Sequence, residues 1–348
     1  SRHLLPLRGA KSQRGMLWWC VGAGCGCFVL RIFWFVLRLS QRKSLRDAAV
    51  LVTGCDSGLG FAIAQRLSEE SAIVFAACLT EAGMVACQKL GSRVKPLRLD
   101  VTKPEDVQHA AHVVRAELGG SQLLGLVNNA GLGNYGFAEQ LPLERYEETL
   151  AVNCLGTVRV TKAFLHMLRK HGAGRLVTIG SLSGRVPAGF GSGYVPTKAY
   201  VASFTECIGA ETRCFGIRAS VVEPGFVATG LLSVGRRRGQ VHCETAKECD
   251  LAYGVFDAMM TRVQRKVEAC ERLNELGGGS KWVADAVVDA LSSSFPRSRY
   301  LVGFDAILLG LLLPRIPGYT RLLGMFFSIE QRVVHEDALR PSGDSKVE

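Results

Sequence analysis

Residues 53–60 read Thr-Gly-Cys-Asp-Ser-Gly-Leu-Gly and follow directly on an apolar run, residues 48–52. A buried strand that feeds a glycine-rich turn and then a helix leaves few architectures open, because the turn must reverse tightly and the helix must pack back on the sheet. Gly54 permits the tight turn, Gly58 lets backbone approach a pyrophosphate, and Gly60 allows the helix to lie close on the strand. Free N–H groups at the helix N-terminus then face phosphate. The spacing is G-x3-G-x-G rather than the commoner G-x-G-x-x-G. Three glycines alone also fit an ordinary turn.

The rest of the chain supports the tighter reading. Apolar strand candidates lie at 48–52, 72–78, 94–99, 123–127, 175–179 and 217–222. Helix-periodic segments separate them, at 59–70, 81–90, 105–118, 143–170 and 194–214. A later pair of helices, 244–276 and 281–292, leads to a short strand at 299–302. Strands alternating with helices of this length predict βαβ units and right-handed crossovers. The expectation is an α/β fold, a Rossmann-type doubly wound parallel sheet in a single domain. Its bounds are 47–303, behind a basic leader and membrane anchor at 1–46 and before an apolar extension and polar tail at 304–348.

The net charge of +11 suggests nucleic acid until it is located. Residues 1–46 hold nine Arg and Lys and no acidic residue, and the remaining chain carries 33 basic against 31 acidic groups. The basic character therefore belongs to the leader, and nucleic-acid binding loses its main support. Residues 16–39 are apolar apart from Gly, Cys, Arg31 and Arg38; the charge-free part, 15–30, falls short of the roughly 20 residues a span needs. Arg31 near an interface can snorkel. No small-residue cleavage site follows, which favours an anchor over a removed signal peptide. The expected location is the endoplasmic-reticulum membrane, with a mitochondrial transit peptide as the alternative. Since the chain begins at Ser1, a preceding segment stays open. The apolar runs 304–313 and 322–329 are each too short to span; they fit either core packing or an interfacial patch. Twelve scattered Cys, with no C-x-x-C pair, predict free thiols and no metal site.

Ser181, Tyr194 and Lys198 form an S-x12-Y-x3-K pattern. Tyr194 and Lys198 share a helix face, and an ammonium beside a phenol is expected to lower the phenol pKa, which suits proton transfer near neutrality. Ser181 follows a strand end, on the carboxyl edge of the sheet where ligands bind. Alone, Y-x3-K fits any surface pair. Asn128-Asn129 fits a turn after a strand, and Asn153 fits a buried polar residue of a long helix.

Taken together, these motifs resemble the short-chain dehydrogenase/reductase family over about residues 46–300. The resemblance rests on 53–60, Leu99-Asp100-Val101, Asn128-Asn129-Ala130-Gly131, Val152-Asn153, Ser181, Tyr194-x3-Lys198, and Pro224-Gly225 followed by Thr229. It implies that Tyr194 is the acid/base, that Lys198 lowers its pKa and holds the nicotinamide ribose, and that Ser181 orients the substrate oxygen. It further implies that Asn153 holds a helix kink and a water of the proton relay. Gly54, Asp56, Ser57, Gly58, Leu59, Gly60, Asp100, Val101, Asn128, Ala130, Gly131, Tyr194, Lys198, Pro224, Gly225 and Thr229 are the implied cofactor contacts, Thr229 at the carboxamide. With Ala-Ala-Cys-Leu-Thr at 76–80, the chain looks like the branch of retinol, 17β- and 11β-hydroxysteroid and 3-hydroxybutyrate dehydrogenases. Leu59 stands where that branch usually has Phe, and Gly180 where Ser or Asn is common. The family also implies a homo-oligomer, a dimer or tetramer through the long helices.

A 2′-phosphate needs a cation, yet residues 53–60 and 78–85 hold none, and Asp56 and Glu81 would repel it. NAD(H) is expected over NADP, and so is alcohol oxidation, because a cell's NAD pool is oxidised. Apolar residues of 230–260 (Leu231, Leu232, Val234, Leu251, Tyr253, Phe256) could wall a lipophilic pocket, and at helical spacing they also fit ordinary core. With an anchor, they point to a steroid or retinoid alcohol. A mitochondrial leader would instead favour (R)-3-hydroxybutyrate, whose carboxylate wants a cation that is not evident. A non-catalytic dinucleotide-binding protein is the remaining reading, though it should have lost one of Ser181, Tyr194 or Lys198.

Overall fold

A computed structural model describes residues 41–319 except 140, 171, 188, 229–230 and 232–249; for 250–263 it describes only the backbone. The leader span 16–39, Thr229, Leu232, Val234 and the run 322–329 lie outside the described residues, as do the side chains of Leu251, Tyr253 and Phe256.

Seven parallel strands form one sheet in the order β3-β2-β1-β4-β5-β6-β7. They are β1 (Ala49–Thr53), β2 (Ile73–Cys78), β3 (Val94–Arg98), β4 (Leu123–Asn128), β5 (Arg175–Ile179), β6 (Arg218–Pro224) and β7 (Arg299–Val302). All five β1 residues are buried, so the strand has no polar face. Successive side chains go to opposite layers. Val50 and Val52 pack with Ile63, Leu67, Val283 and Leu291, whereas Ala49 and Leu51 pack with Val107, Val114, Phe164 and Leu168. The helices of the first layer are α1 (Gly58–Glu69) and α8 (Ser280–Ser292); those of the second include α3 (Pro104–Leu118) and α5 (Thr157–Arg169). The remaining helices are α2 (Glu81–Gln88), α4 (Leu143–Thr149), α6 (Val195–Thr212), α7 (Asp250–Gly277) and α9 (Phe304–Leu312).

Two details depart from the sequence expectation. The segment 143–170 is not one helix: a π-helical stretch, Leu150–Gly156, separates α4 from α5. It brings Gly156 so close to Val101 that a Cβ would lie 2.7 Å from the valine Cγ2. Residues 41–45 are joined to the C-terminal end of α8. Arg42 bridges to Ser293 and its guanidinium meets Asp289 at 2.7 Å, Lys43 N donates to Ser292 O, and Leu45 is buried. At the other end α9 buries Ala306 and leaves Phe304, Ile307, Leu308, Leu311 and Leu312 exposed.

The strand order reverses between β2-β1 and β4. At that point the carboxyl ends of the strands diverge and leave a crevice.

Candidate active site

One wall of the crevice is backbone. Gly54 and Gly58 take φ of +69° and +60°, values a side chain disfavours. A Cβ on Gly60 would lie 2.1 Å from Gly54 O, so only glycine lets α1 start there. Ser57, the N-cap of α1, makes no capping bond, and no acidic residue sits in the first turn of the helix. The helix N-terminus is therefore left to attract an anion. The turn is sewn to the loop after β4. Thr53 Oγ1 accepts from Asn129 N and Ala130 N, both at 3.0 Å, and Asn129 Nδ2 donates to Thr53 O and Gly54 O. Asp56 joins this turn to the end of β2 by accepting from Leu79 N, Thr80 N and Thr80 Oγ1.

The opposite wall is built of buried side chains. Ser181 caps a short 3₁₀ turn just past β5 and accepts from Ser183 N at 3.2 Å. Tyr194 is the N-cap of α6 and Lys198 lies one turn further on, which places Lys198 Nζ 5.6 Å from the tyrosine ring centroid. Lys198 Nζ donates to Ile179 O at 2.9 Å, tying α6 to the end of β5. Asn153, in the π segment, accepts from Leu132 N at 2.9 Å and donates Nδ2 to Leu132 O and to Thr197 Oγ1. That threonine hydroxyl donates on to Tyr194 O at 2.6 Å. The asparagine amide thus spans from the β4 loop to the start of α6.

Electrostatics on this wall differ from the sequence expectation. Burial pushes the Tyr194 phenol above its ordinary range, and a hydrogen bond with Ser181 works against that. Burial also lowers the Lys198 ammonium to about 8, opposed by Cys154. Desolvation outweighs any help the ammonium gives the phenolate, because Lys198 points at a carbonyl and both groups are shut away from water.

Between the walls lies a cleft of about 570 Å³, lined by Gly54, Asp56, Ser57, Gly58, Leu59, Asp100, Val101, Ala130, Gly131, Tyr194 and Lys198. Leu79, Leu99, Asn129, Leu132, Gly133, Val152 and Leu231 complete it. Most of the sequence-chosen contacts meet there, and Ser181 reaches it through Tyr194. Asn128 is the main correction: its Nδ2 donates to Thr161 Oγ1 beneath the sheet, and its neighbour Asn129 lines the cleft instead. An alternating strand sends consecutive residues to opposite sides, so only one asparagine of the pair can face the ligand. Pro224 ends β6, Gly225 follows it, and neither is among the lining residues; Glu81, exposed at the start of α2, is not either. Thr53 and Thr197 were missed as site residues. The only signal for Thr53 is its place beside the glycine turn, and nothing in the sequence marks Thr197.

The seven cysteines among the described residues are free thiols, and burial raises those at Cys55, Cys78, Cys87 and Cys154. No described helix is long and apolar enough to cross a membrane.

A dinucleotide suits this cleft: phosphate-seeking backbone stands at one end and a lysine and a tyrosine at the other. A family model described as short chain dehydrogenase matches residues 48–238. The chain is 34% identical to retinol dehydrogenase 16 of Mus musculus over 82% of this chain and 91% of that protein. It is 38% identical to the mitochondrial D-beta-hydroxybutyrate dehydrogenase of Bos taurus over 72% and 76%. In fold it matches a short chain dehydrogenase/reductase from Burkholderia phymatum in complex with NAD, with a TM-score of 0.65 and 24% identity, over 78% of this chain and 93% of that one.

Proposed function

The chain belongs to the short-chain dehydrogenase family and is an oxidoreductase acting on CH–OH groups, and from that premise we propose that it oxidises a lipophilic primary or secondary alcohol, a retinoid or a steroid, with NAD. The carrying observation is the composition of the cleft. Lys198 is the only Lys or Arg among its described lining residues, and Asp56 and Asp100 add negative charge at the end beyond the glycine turn. A 2′-phosphate would meet carboxylates there, which favours NAD over NADP. Leu132, Val152 and Leu231 add apolar wall, and the described lining residues offer no second cation to an anionic hydroxy acid.

When bound, NAD supplies the acceptor for the carbinol hydride. The chain supplies the rest. Ser181 Oγ holds the substrate oxygen. Burial favours the Tyr194 phenol, so its own proton must first pass to solvent; as the phenolate it then takes the hydroxyl proton while the C–H pair leaves as hydride, and the carbonyl forms without a charged oxygen. Lys198, held by Ile179 O, holds the nicotinamide ribose. Asn153 keeps the loop at Leu132 and the start of α6 at fixed separation, so that Tyr194 stays in reach of the substrate.

The test is binding and turnover with detergent-solubilised full-length protein. NADH should bind tighter than NADPH by fluorescence, and all-trans-retinol, estradiol or an 11β-hydroxysteroid should be turned over with NAD. Turnover of (R)-3-hydroxybutyrate alone overturns the lipophilic reading. We also assign the membrane attachment to the leader. Removing residues 1–40, which spares the contacts of Arg42, Lys43 and Leu45, should release the protein from membranes; a truncated form that still pellets with them moves the anchor to the apolar C-terminal segment.

A further inference from the structure

The chain leaves β6 at Pro224 and turns through Gly225 and Phe226 toward Leu231, a residue of the cleft wall. This turn is held from far along the sequence. Asp305, in the first turn of α9, accepts from Phe226 N with Oδ2 at 2.7 Å and from Asn274 Nδ2 with Oδ1 at 2.7 Å. Asn274, on α7, donates the same nitrogen to Phe226 O at 2.8 Å, and its Oδ1 accepts from Phe304 N at 2.9 Å. Both backbone polar groups of Phe226 are therefore gripped by side chains that are buried to 1% and 6% exposure.

The glycine beside the clamp is demanded by it. A Cβ on Gly225 would lie 2.0 Å from Asp305 Oδ1 and 2.4 Å from its Cγ, so carboxylate and side chain cannot share the space. At Gly303, where φ is +115°, a Cβ would come within 2.7 Å of the same Oδ1. A buried carboxylate is costly unless donors are matched to it, and here each oxygen has one. Neither Asp305 nor Asn274 lines the cleft or takes part in proton transfer.

We propose that Asp305 and Asn274 are positioning residues, which fix the backbone at Phe226, where the chain leaves β6 ahead of Leu231 of the cleft wall, and so make the C-terminal helix a working part of the site. The inference rests on the dehydrogenase reading. Asp305→Asn keeps the shape and turns one acceptor into a donor that must face a donor.

The full chain is titrated with NADH, and kcat, KM for NAD and thermal unfolding are measured for the parent, Asp305→Asn, Asp305→Ala, Gly225→Ala and the double variant Gly225→Ala/Asp305→Ala. In Asp305→Asn and in Gly225→Ala, the NADH dissociation constant and KM for NAD should rise about tenfold or more. The acid limb of the pH–rate profile for oxidation, where Tyr194 must be deprotonated to act as the base, should not move, because the Tyr194 proton path is untouched. Gly225→Ala should cost less in the Asp305→Ala background, since the obstructing carboxylate is gone. Lowered melting temperatures with unchanged NADH affinity and KM would make the clamp merely structural and overturn the inference, as would full additivity of the two Ala changes. Should Asp305→Asn fail to fold, Gly225→Ala carries the test, because it displaces the carboxylate without removing any polar group of the clamp. A parent that binds neither nucleotide overturns the dehydrogenase reading as well, whereas a binding parent with equally binding variants overturns only this inference.

Discussion

The two walls of the cleft solve different problems with different material. The β1–α1 wall presents backbone: glycines that exclude a Cβ, an uncapped helix start, and a turn stitched through Thr53 and Asn129. The α6 wall presents side chains driven out of water, Tyr194 with a raised pKa and Lys198 with a lowered one. Backbone suits the first task because a dinucleotide is held by N–H groups that need no titration. Proton transfer needs groups whose protonation state depends on their surroundings. Damage to the first wall should therefore appear in binding, and damage to the second in rate and pH dependence.

The sharpest break is Tyr194→Phe. It should lower kcat by about 10²–10⁴-fold and leave NADH affinity within about twofold, because the lost oxygen moves a proton and does not hold the nucleotide. Steady-state turnover beside an NADH titration checks it, and near-normal turnover sinks the assignment. Gly60→Ala is the mirror case. Its Cβ would lie 2.1 Å from a backbone oxygen that cannot move without dragging the turn, so NADH binding should weaken about a hundredfold in the chain that still folds. Parent-like affinity in that variant would remove the phosphate role of the turn.

Lys198 sharpens the contrast through pH. Burial lowers its ammonium from 10.5 to about 8, which costs the folded chain about 3 kcal/mol at pH 7, where folded and unfolded chains are both protonated. Above pH 8 the folded chain gives up a proton that the unfolded chain keeps until about 10.5, so the penalty fades and the parent gains stability. Relative to the parent, Lys198→Met should then lose stability between pH 7 and pH 10. Thermal unfolding at both pH values decides it, and a pH-independent difference means that the lysine is not desolvated. The smallest expected effect separates two adjacent asparagines. Asn129→Ala should weaken NADH about tenfold by freeing the glycine turn, whereas Asn128→Ala, which loses its bond to Thr161, should lower the melting temperature and leave NADH affinity alone.

That pair also shows how far the sequence could be read. Asn128-Asn129 marked a loop at the end of β4, but the choice between them depended on which way the strand presents each residue. The long segment 143–170 has helical periodicity, and the π stretch Leu150–Gly156 within it is not marked by any residue type, since the i→i+5 bonds are set by packing and not by local propensity. The spacing of Tyr194 and Lys198 placed them together. It did not show that Tyr194 is shut away from water, which raises its pKa where a fall was expected, nor that Lys198 Nζ donates to Ile179 O, 19 residues back.

What the sequence determined by itself is local: buried strands from continuous apolar runs, a tight turn from its glycines, a shared helix face from a four-residue spacing. These follow from steric limits on single residues and from the preference of apolar side chains for the interior, which act over a few positions. Tertiary structure alone decided what needs distant segments in register. It brought Asn153 between Leu132 and Thr197, and it set Asp305 into the space that Gly225 leaves. Such contacts depend on which strand lies beside which and on how helices settle over them, and no window of neighbouring residues carries that information.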